Sequence, residues 1–104
     1  MMTLEKLNAT LAARKNAGLE NSYTASLLAR GTETCAKKFG EEAFELAMAA
    51  VLNNRENTAK EAADLLYHFL VLLQSADVSL EAVMHVLEQR HGTSGLVEKA
   101  SRNG

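Results

Sequence analysis

The stretch that decides the fold is EEAFELAMAAVLNNRENTAKEAAD, residues 41–64, in which two helix-forming runs flank the pair Asn53–Asn54. Both runs consist mostly of residues with high helix propensity, such as Ala, Leu, Glu and Lys. Asn53 followed three residues later by Glu56 predicts a capping box that opens the second helix. The stretch therefore predicts two helices that reverse direction at Asn53 and pack as an antiparallel hairpin.

Outside this hairpin the sequence continues in the same style, with no proline and few β-branched residues. Apolar residues recur at helical spacing, and serine and glycine residues mark where the predicted helices begin and end. The predicted helices cover residues 3–16 (stopped by Gly18), 23–30 (capped by Ser22, closed by Gly31), 34–52, 54–75 and 80–91 (capped by Ser79, stopped by Gly92). The predicted fold class is therefore all-α: one domain over residues 1–104, a bundle of about five helices, with residues 93–104 as an irregular tail.

Composition and charge restrict the class of protein. The chain has 104 residues, 47% of them hydrophobic and 23% charged, which is ordinary for a single soluble globular domain. Its net charge of −2 argues against a nucleic-acid-coating protein, which needs a basic excess. The longest apolar run, 69–73, is far below the roughly 20 residues that span a bilayer. No secretory leader is visible and the single Cys35 is expected to be a buried side chain, so we expect a cytoplasmic protein without membrane or nucleic-acid partners.

The fourth predicted helix carries an apolar surface on every side. Seven apolar side chains surround its axis over two turns, and such a helix has to be enclosed by other structure. Four short helices of the same chain are few for this purpose, which predicts a homodimer that completes the core. The alternative is a monomer with one exposed apolar patch. The seven residues are Leu65, Leu66, Phe69, Leu70, Val71, Leu72 and Leu73.

Two acidic pairs share one spacing, with Glu42 and Glu45 on the third helix and Glu61 and Asp64 on the fourth. A separation of three places both members of a pair on one helix face. Glu45 and Glu61 each lie eight residues from Asn53, and Glu42 and Asp64 each lie eleven. An antiparallel hairpin should therefore bring Glu45 opposite Glu61 and Glu42 opposite Asp64, so that four carboxylates converge.

Four converging carboxylates predict a divalent cation, because like charges in partly buried surroundings otherwise repel one another or take up protons. All-oxygen ligands suit hard ions, and a small nest that keeps water ligands favours Mg²⁺, with Mn²⁺ also possible. Such ions bind phosphates. The alternative for a single such pair is an ordinary solvated helix face; the second pair at matching height favours metal. Glu41, on the outer side of the helix, is expected to face solvent or to support the ligands.

Basic residues near this cluster could hold a phosphate. Lys38 lies on the face of Glu42 and Glu45, where it either forms an i,i+4 ion pair with Glu42 or neutralises a substrate oxygen. Lys99 and Arg102 form a second basic pair, for which a solvated terminus is the default interpretation. His68 lies one turn after Asp64 and could hydrogen-bond a ligating carboxylate, although a satisfied core histidine is the commoner role.

With these residues identified, the sequence resembles the phosphoribosyl-ATP pyrophosphatase family, within the wider group of MazG-like α-helical nucleotide pyrophosphatases. The strongest segment is Lys-Lys-Phe-Gly-Glu-Glu-Ala-Phe-Glu, residues 37–45, which matches the family's K-x-G-E-E-x-x-E. Further segments are residues 61–68, Ser22-Tyr-Thr24 and the closing stretch 94–102, Ser-Gly-Leu-Val-Glu-Lys-Ala-Ser-Arg. The resemblance covers most of the chain from Ser22 onward.

The resemblance implies hydrolysis of the α–β phosphoanhydride of phosphoribosyl-ATP to phosphoribosyl-AMP and pyrophosphate, the second step of histidine biosynthesis. It implies that Glu42, Glu45, Glu61 and Asp64 are the catalytic carboxylates and hold Mg²⁺ on the triphosphate. Lys38, Lys99 and Arg102 would bind substrate phosphate and steady the departing pyrophosphate. The family is also dimeric. Two alternatives stay open: a housekeeping nucleoside triphosphate pyrophosphatase of MazG type, and a non-catalytic helical dimerisation module.

Overall fold

The computed structural model describes residues 1–15 and 22–91. Over these residues the all-α prediction is confirmed, with no strand. The predicted tail at 93–104 and the glycine stops Gly18 and Gly92 lie outside the described residues. The helices are α1 (Leu4–Arg14), α2 (Tyr23–Arg30), α3 (Thr32–Val51), α4 (Arg55–Ser75) and α5 (Leu80–Arg90).

Polar side chains cap the helices as local sequence predicts. The side chains of Thr3, Ser22 and Ser79 each accept a hydrogen bond from the first turn of the helix that follows. The predicted start of α3 at residue 34 is wrong, because α3 begins directly after Gly31. Gly31 has φ +94°, a conformation that reverses the chain within one residue, so no linker is needed between α2 and α3.

Two asparagines form the turn between α3 and α4: Asn53 ends α3 and Asn54 caps α4. Asn53 adopts a left-handed φ of 61°, and its N–H donates to Ala50 O while the Asn54 N–H donates to Ala49 O. This is the Schellman arrangement that ends a helix. Asn54 then caps α4, its Oδ1 accepting from the Asn57 N–H at 3.1 Å. The predicted capping box from Asn53 to Glu56 is therefore wrong by one residue, because Asn53 is needed to end α3.

The hairpin keeps one register along its length. At its open end the Thr32 hydroxyl donates to the carbonyl of Ser75 at 2.9 Å. Further in, the rings of Phe39 and Phe69 lie 6.4 Å apart. Each pair joins residues that are nearly equidistant from the turn, so the antiparallel pairing expected from the sequence holds over five turns.

The core lies at the open end of the hairpin. Its buried members come from all five helices, and the partly buried Leu4, Leu7, Leu28 and Phe69 pack against them. The buried cluster consists of Leu11, Leu27, Cys35, Leu70, Val71 and Leu80. Cys35 is buried as expected, with its thiol donating to Leu27 O at 3.4 Å.

This packing corrects the argument that α4 is too apolar for its own chain to enclose. Leu70 and Val71 are fully buried by α1, α2 and α3 of the same chain. Only towards the turn does α4 expose a large side chain, Leu66, with 44% of its surface accessible. The helices of one chain enclose the second half of α4 because α1 and α2 both cross it there.

A continuous apolar stripe lies exposed on α3. Phe44, Met48 and Val51 follow one another at helical spacing, and Phe44 and Val51 expose 67% and 77% of their surface. Leu52 continues the exposed surface into the turn. The turn end of the hairpin is thus not covered by any described helix.

None of the described helices is by itself long and apolar enough to span a membrane. Taken together, Arg55–Ser75 and Leu80–Arg90 meet the length and composition criteria as a pair bent by 110°.

Candidate metal centre

Three carboxylates from the two arms of the hairpin meet near its middle. One carboxylate oxygen from each of Glu42, Glu45 and Glu61 lies within 4.8 Å of the other two. Glu42 and Glu61 are half-buried and Glu45 is exposed. We call these three residues the acidic trio. Glu45 and Glu61 lie across the hairpin from each other, as predicted from their equal distance in sequence from Asn53.

Asp64 does not join this trio, although the sequence predicted four converging carboxylates. Its position one turn beyond Glu61 keeps it close enough for its charge to raise the pKa of both Glu42 and Glu61. Asp64 thus stays a neighbour of Glu42, as its position across the hairpin predicts, but its oxygens do not belong to the group that lies within 4.8 Å.

Burial and mutual repulsion perturb the trio. The pKa of Glu42 is raised from its usual 4.5, first by burial and then by the charges of Glu45, Asp64 and Glu61. Burial and the adjacent Glu45 likewise raise the pKa of Glu61. Both shifts mean that a negative charge at these positions lacks compensation from the described residues.

The trio fits a divalent ion. The Oε2 atom of Glu61 is buried without a hydrogen-bond partner among the described residues, which is unusual for a carboxylate oxygen. Ligands of one octahedral Mg²⁺ lie about 3.0 Å apart when adjacent and about 4.2 Å apart when opposite, since each bond is about 2.1 Å. Oxygens within 4.8 Å of one another therefore have to move closer to share one ion, by a distance that rotation of glutamate side chains can supply. Histidine and cysteine ligands, which zinc prefers, are absent from the trio.

Lys38 lies one turn further from the hairpin turn, at the same height as His68. Each of these residues is fifteen positions from Asn53. Of the two alternatives for Lys38, the ion pair with Glu42 does not form: the Lys38 ammonium lies 3.5 Å from Glu41 instead, in a pair whose side chains are 40% and 45% accessible. Such a pair is worth well under 1 kcal/mol. The Lys38 side chain is thus held next to Glu41, and its charge acts on His68.

His68 is buried, with only 7% of its surface accessible, but the described residues do not satisfy both of its ring nitrogens as expected for a core histidine. Its Nδ1 has no hydrogen-bond partner among the described residues. Burial and the charge of Lys38 lower its pKa, against a smaller opposing influence of Asp64 and Glu41. The imidazole therefore favours its neutral form, which carries one donor and one acceptor nitrogen.

An aromatic cluster adjoins His68. The ring of Tyr67 packs edge-on against His68 with centroids 5.0 Å apart, and Tyr23 stacks on Tyr67 at 6.3 Å. The hydroxyls of Tyr67 and buried Thr24 share a hydrogen bond of 2.5 Å, which joins α2 to α4. Burial raises the pKa of the Tyr67 hydroxyl. The spacing of these residues in the sequence does not predict the cluster. The segment Ser22-Tyr-Thr24 was singled out only because it matches the family.

Two predicted phosphate-binding residues, Lys99 and Arg102, lie outside the described residues and stay predictions. A cavity of about 560 Å³ opens elsewhere, between α1 and the junction of α4 with α5, and its lining includes Asn8, Gln74 and Asp77. Asp77 is the one acidic residue that lines it. The arrangement of charge, rather than the size of a concavity, therefore identifies the acidic trio as the candidate site.

Comparison with known proteins gives a consistent result. Residues 4–91 match the family described as phosphoribosyl-ATP pyrophosphohydrolase. A protein of Cereibacter sphaeroides (strain ATCC 17029) named phosphoribosyl-ATP pyrophosphatase is 57% identical over 98% of this chain and 99% of its own length. Proteins of the same name from Rhodobacter capsulatus and Dinoroseobacter shibae are 55% and 54% identical, again over 98% of this chain. The matches to these relatives extend over the whole hairpin that carries the acidic trio.

Proposed function

The chain belongs to the phosphoribosyl-ATP pyrophosphohydrolase family, and we propose that its acidic trio binds Mg²⁺, or Mn²⁺, for the hydrolysis of phosphoribosyl-ATP. The reaction splits the α–β phosphoanhydride with water and yields phosphoribosyl-AMP and pyrophosphate, the second step of histidine biosynthesis. The observation that carries the proposal is the trio itself: three carboxylate oxygens within 4.8 Å, one of them buried without a partner.

The described residues divide the work of this reaction. Glu42, Glu45 and Glu61 would hold the ion, which when bound lowers the pKa of a water and offsets charge on phosphoryl oxygens. Asp64 lies outside the trio, and a carboxylate that the ion does not engage can accept the proton of the attacking water. Lys38, whose ammonium pairs with Glu41 at 3.5 Å, would bind a phosphate oxygen.

The central experiment is pyrophosphate release from phosphoribosyl-ATP, measured with Mg²⁺ and with EDTA. We expect Glu45→Gln to lower kcat/KM by about 100-fold or more, because it removes a charged ligand of the ion. Glu56→Gln is the matched control, since this exposed carboxylate pairs with Lys60 at 3.7 Å. Activity that persists in EDTA, or equal activity of the two variants, would contradict the metal site.

Two other activities are separated by the same assay. A housekeeping pyrophosphatase would turn over dUTP, dCTP or ATP faster than phosphoribosyl-ATP. A non-catalytic helical module would release no pyrophosphate at all, and Glu45→Gln would then be neutral or stabilising through loss of repulsion. The family membership favours phosphoribosyl-ATP over both.

We also propose that two copies of the chain associate through the exposed stripe of α3. Phe44, Met48 and Val51 would be covered by the second copy. Gly40 continues this stripe one turn earlier, and a Cβ added there would meet no atom within 4 Å among the described residues. A glycine inside a helix costs up to about 1 kcal/mol relative to alanine. Close approach of a second helix supplies a reason for it that the chain's own packing does not.

Gly40→Ala tests this assembly. In a monomer the change should stabilise α3 by up to about 1 kcal/mol, because only helix propensity is affected. In a dimer packed at Gly40 the added methyl group should weaken association, seen as a larger monomer fraction in sedimentation analysis. Ala47→Gly is the reverse change on the same helix. A chain that sediments as a monomer at all concentrations contradicts the proposal.

The location of the protein stays a prediction. The proposed substrate is derived from ATP, and the single cysteine, Cys35, is a free and buried thiol. Both are consistent with the cytoplasm, where thiols stay reduced.

A further inference from the structure

The acidic face of the hairpin ends in an aromatic surface. Glu45 and Glu61 lie nearest the turn, Glu42 and Asp64 one turn further, and Lys38 and His68 one turn beyond them. Three residues after His68, on the same face of α4, Val71 is fully buried in the core. The polar face is therefore about 10 Å long, given a rise of 1.5 Å per residue between Glu61 and His68.

Tyr23 lies at the core end of this face and is not covered by the described residues. Its ring exposes 57% of its surface, although it stacks on Tyr67 at 6.3 Å and meets His68 edge-on at 6.3 Å. Tyr67 is in turn fixed by its hydrogen bond to Thr24. The exposed ring is thus supported from behind by a rigid pair of helices.

A second observation at the same place points to a ligand. His68 is more than nine-tenths buried, yet its Nδ1 lacks a hydrogen-bond partner among the described residues. A buried nitrogen without a partner costs about 1–3 kcal/mol unless water or a ligand satisfies it. An aromatic face beside an unsatisfied polar atom is the combination that recognises a nucleobase, which offers a π surface and polar edges.

We propose that Tyr23, backed by Tyr67 and flanked by His68, binds the purine ring of the nucleotide substrate by stacking. This inference rests on the proposed function, since it takes the phosphates to lie at the acidic trio. It also orients the substrate: the nucleoside lies towards α2 and the departing pyrophosphate towards the hairpin turn. Lys38, beside His68, then contacts the nucleoside side of the scissile bond.

The composition of the chain offers a direct probe of this site. Tyr23 and Tyr67 are its two tyrosines and it has no tryptophan, so its intrinsic fluorescence comes from this cluster. We expect AMP to quench the fluorescence of the wild-type chain in the presence of Mg²⁺, whereas ribose 5-phosphate and pyrophosphate do not. Free tyrosine amide with the same AMP concentrations corrects for absorption by the nucleotide.

Substitutions at Tyr23 complete the test. Tyr23→Ala should weaken AMP binding and raise KM for phosphoribosyl-ATP by at least about fivefold, the lower bound for losing one base stack, with kcat little changed. Tyr23→Phe keeps the ring and should behave as the wild type. Inhibition by pyrophosphate should be the same in all three proteins.

Several outcomes would overturn the inference. Unchanged KM and AMP affinity in Tyr23→Ala would do so, as would equal quenching by ribose 5-phosphate. A Tyr23→Ala variant with altered sedimentation but normal AMP affinity assigns the ring to an interface between copies and also overturns it. Failure of the proposed function looks different: the wild-type chain itself would release no pyrophosphate from phosphoribosyl-ATP.

Discussion

The two ends of the α3–α4 hairpin have similar helix-forming sequences and opposite environments. At the open end, Leu70 and Val71 are fully buried against α1 and α2. At the turn end, Phe44 and Val51 expose most of their surface because no described helix crosses there. The acidic trio lies at the boundary, where burial is sufficient to raise carboxylate pKa values but access to solvent remains. The proposed metal site needs both conditions at one place, and this boundary provides them.

The difference between the two ends of the hairpin should be largest in the free energy lost when a leucine side chain is truncated. Leu70→Ala is expected to lower the free energy of unfolding by about 2–5 kcal/mol, since it leaves a cavity among fully buried side chains. Leu52→Ala, the same change at the turn end, should cost less than about 1 kcal/mol in the monomer, because Leu52 is 72% exposed. Urea unfolding followed by circular dichroism measures both. Equal losses that persist on dilution would remove the distinction between the two ends.

A smaller effect should come from the polar contact that fixes the open end. Thr24→Val and Tyr67→Phe each leave one hydroxyl without its partner, which should cost about 1–3 kcal/mol. The double variant should lose less than the sum of the two, because the second change removes the unsatisfied group. Tyr23→Phe is the control, as its ring is exposed. Additive losses in the same unfolding assay would mean that the hydroxyls do not interact.

The smallest expected effect comes from the carboxylates of Glu42 and Glu61, at the boundary between the two ends of the hairpin. The raised pKa values of Glu42 and Glu61 mean that the folded chain binds these protons more tightly than the unfolded chain. Their protonation therefore supports folding fully below about pH 4.5, and this contribution is lost as pH rises through the raised pKa. Without metal at pH 7, Glu61→Gln should melt at a higher temperature than the wild type, and the gap should close towards pH 4.5.

Magnesium should stabilise the wild type more than Glu61→Gln, the opposite of the difference expected without metal. Adding Mg²⁺ at pH 7 should raise the Tm of the wild type more than that of Glu61→Gln, because binding to the folded state stabilises it. Glu56→Gln serves as the control and should respond to Mg²⁺ as the wild type does, since its carboxylate is exposed and paired with Lys60. A metal-free Glu61→Gln that melts below the wild type at pH 7 would show that the carboxylate is stabilised rather than strained.

Much of this arrangement could be predicted because it depends on local periodicity. Ser22 and Ser79 cap their helices through their own hydroxyl groups, which requires no distant residue. Glu45 lies close to Glu61 because both are eight residues from the turn. The errors arose where neighbours compete for a role. Asn53 and Asn54 could each cap α4, and only the need to end α3 assigns the left-handed position to Asn53. Lys38 had two acidic partners within reach, and it pairs with Glu41.

The sequence alone determined the all-α class, the hairpin, and the faces that carry the acidic residues, because helical geometry repeats every 3.6 residues and needs no knowledge of distant parts of the chain. Only the tertiary structure decided which apolar surfaces the chain covers, that Asp64 lies outside the trio, and that Tyr23, Tyr67 and His68 meet. The aromatic cluster depends on where α2 crosses the hairpin, because Tyr23 lies on α2. That crossing is set by the packing of several side chains at once, which no local pattern encodes.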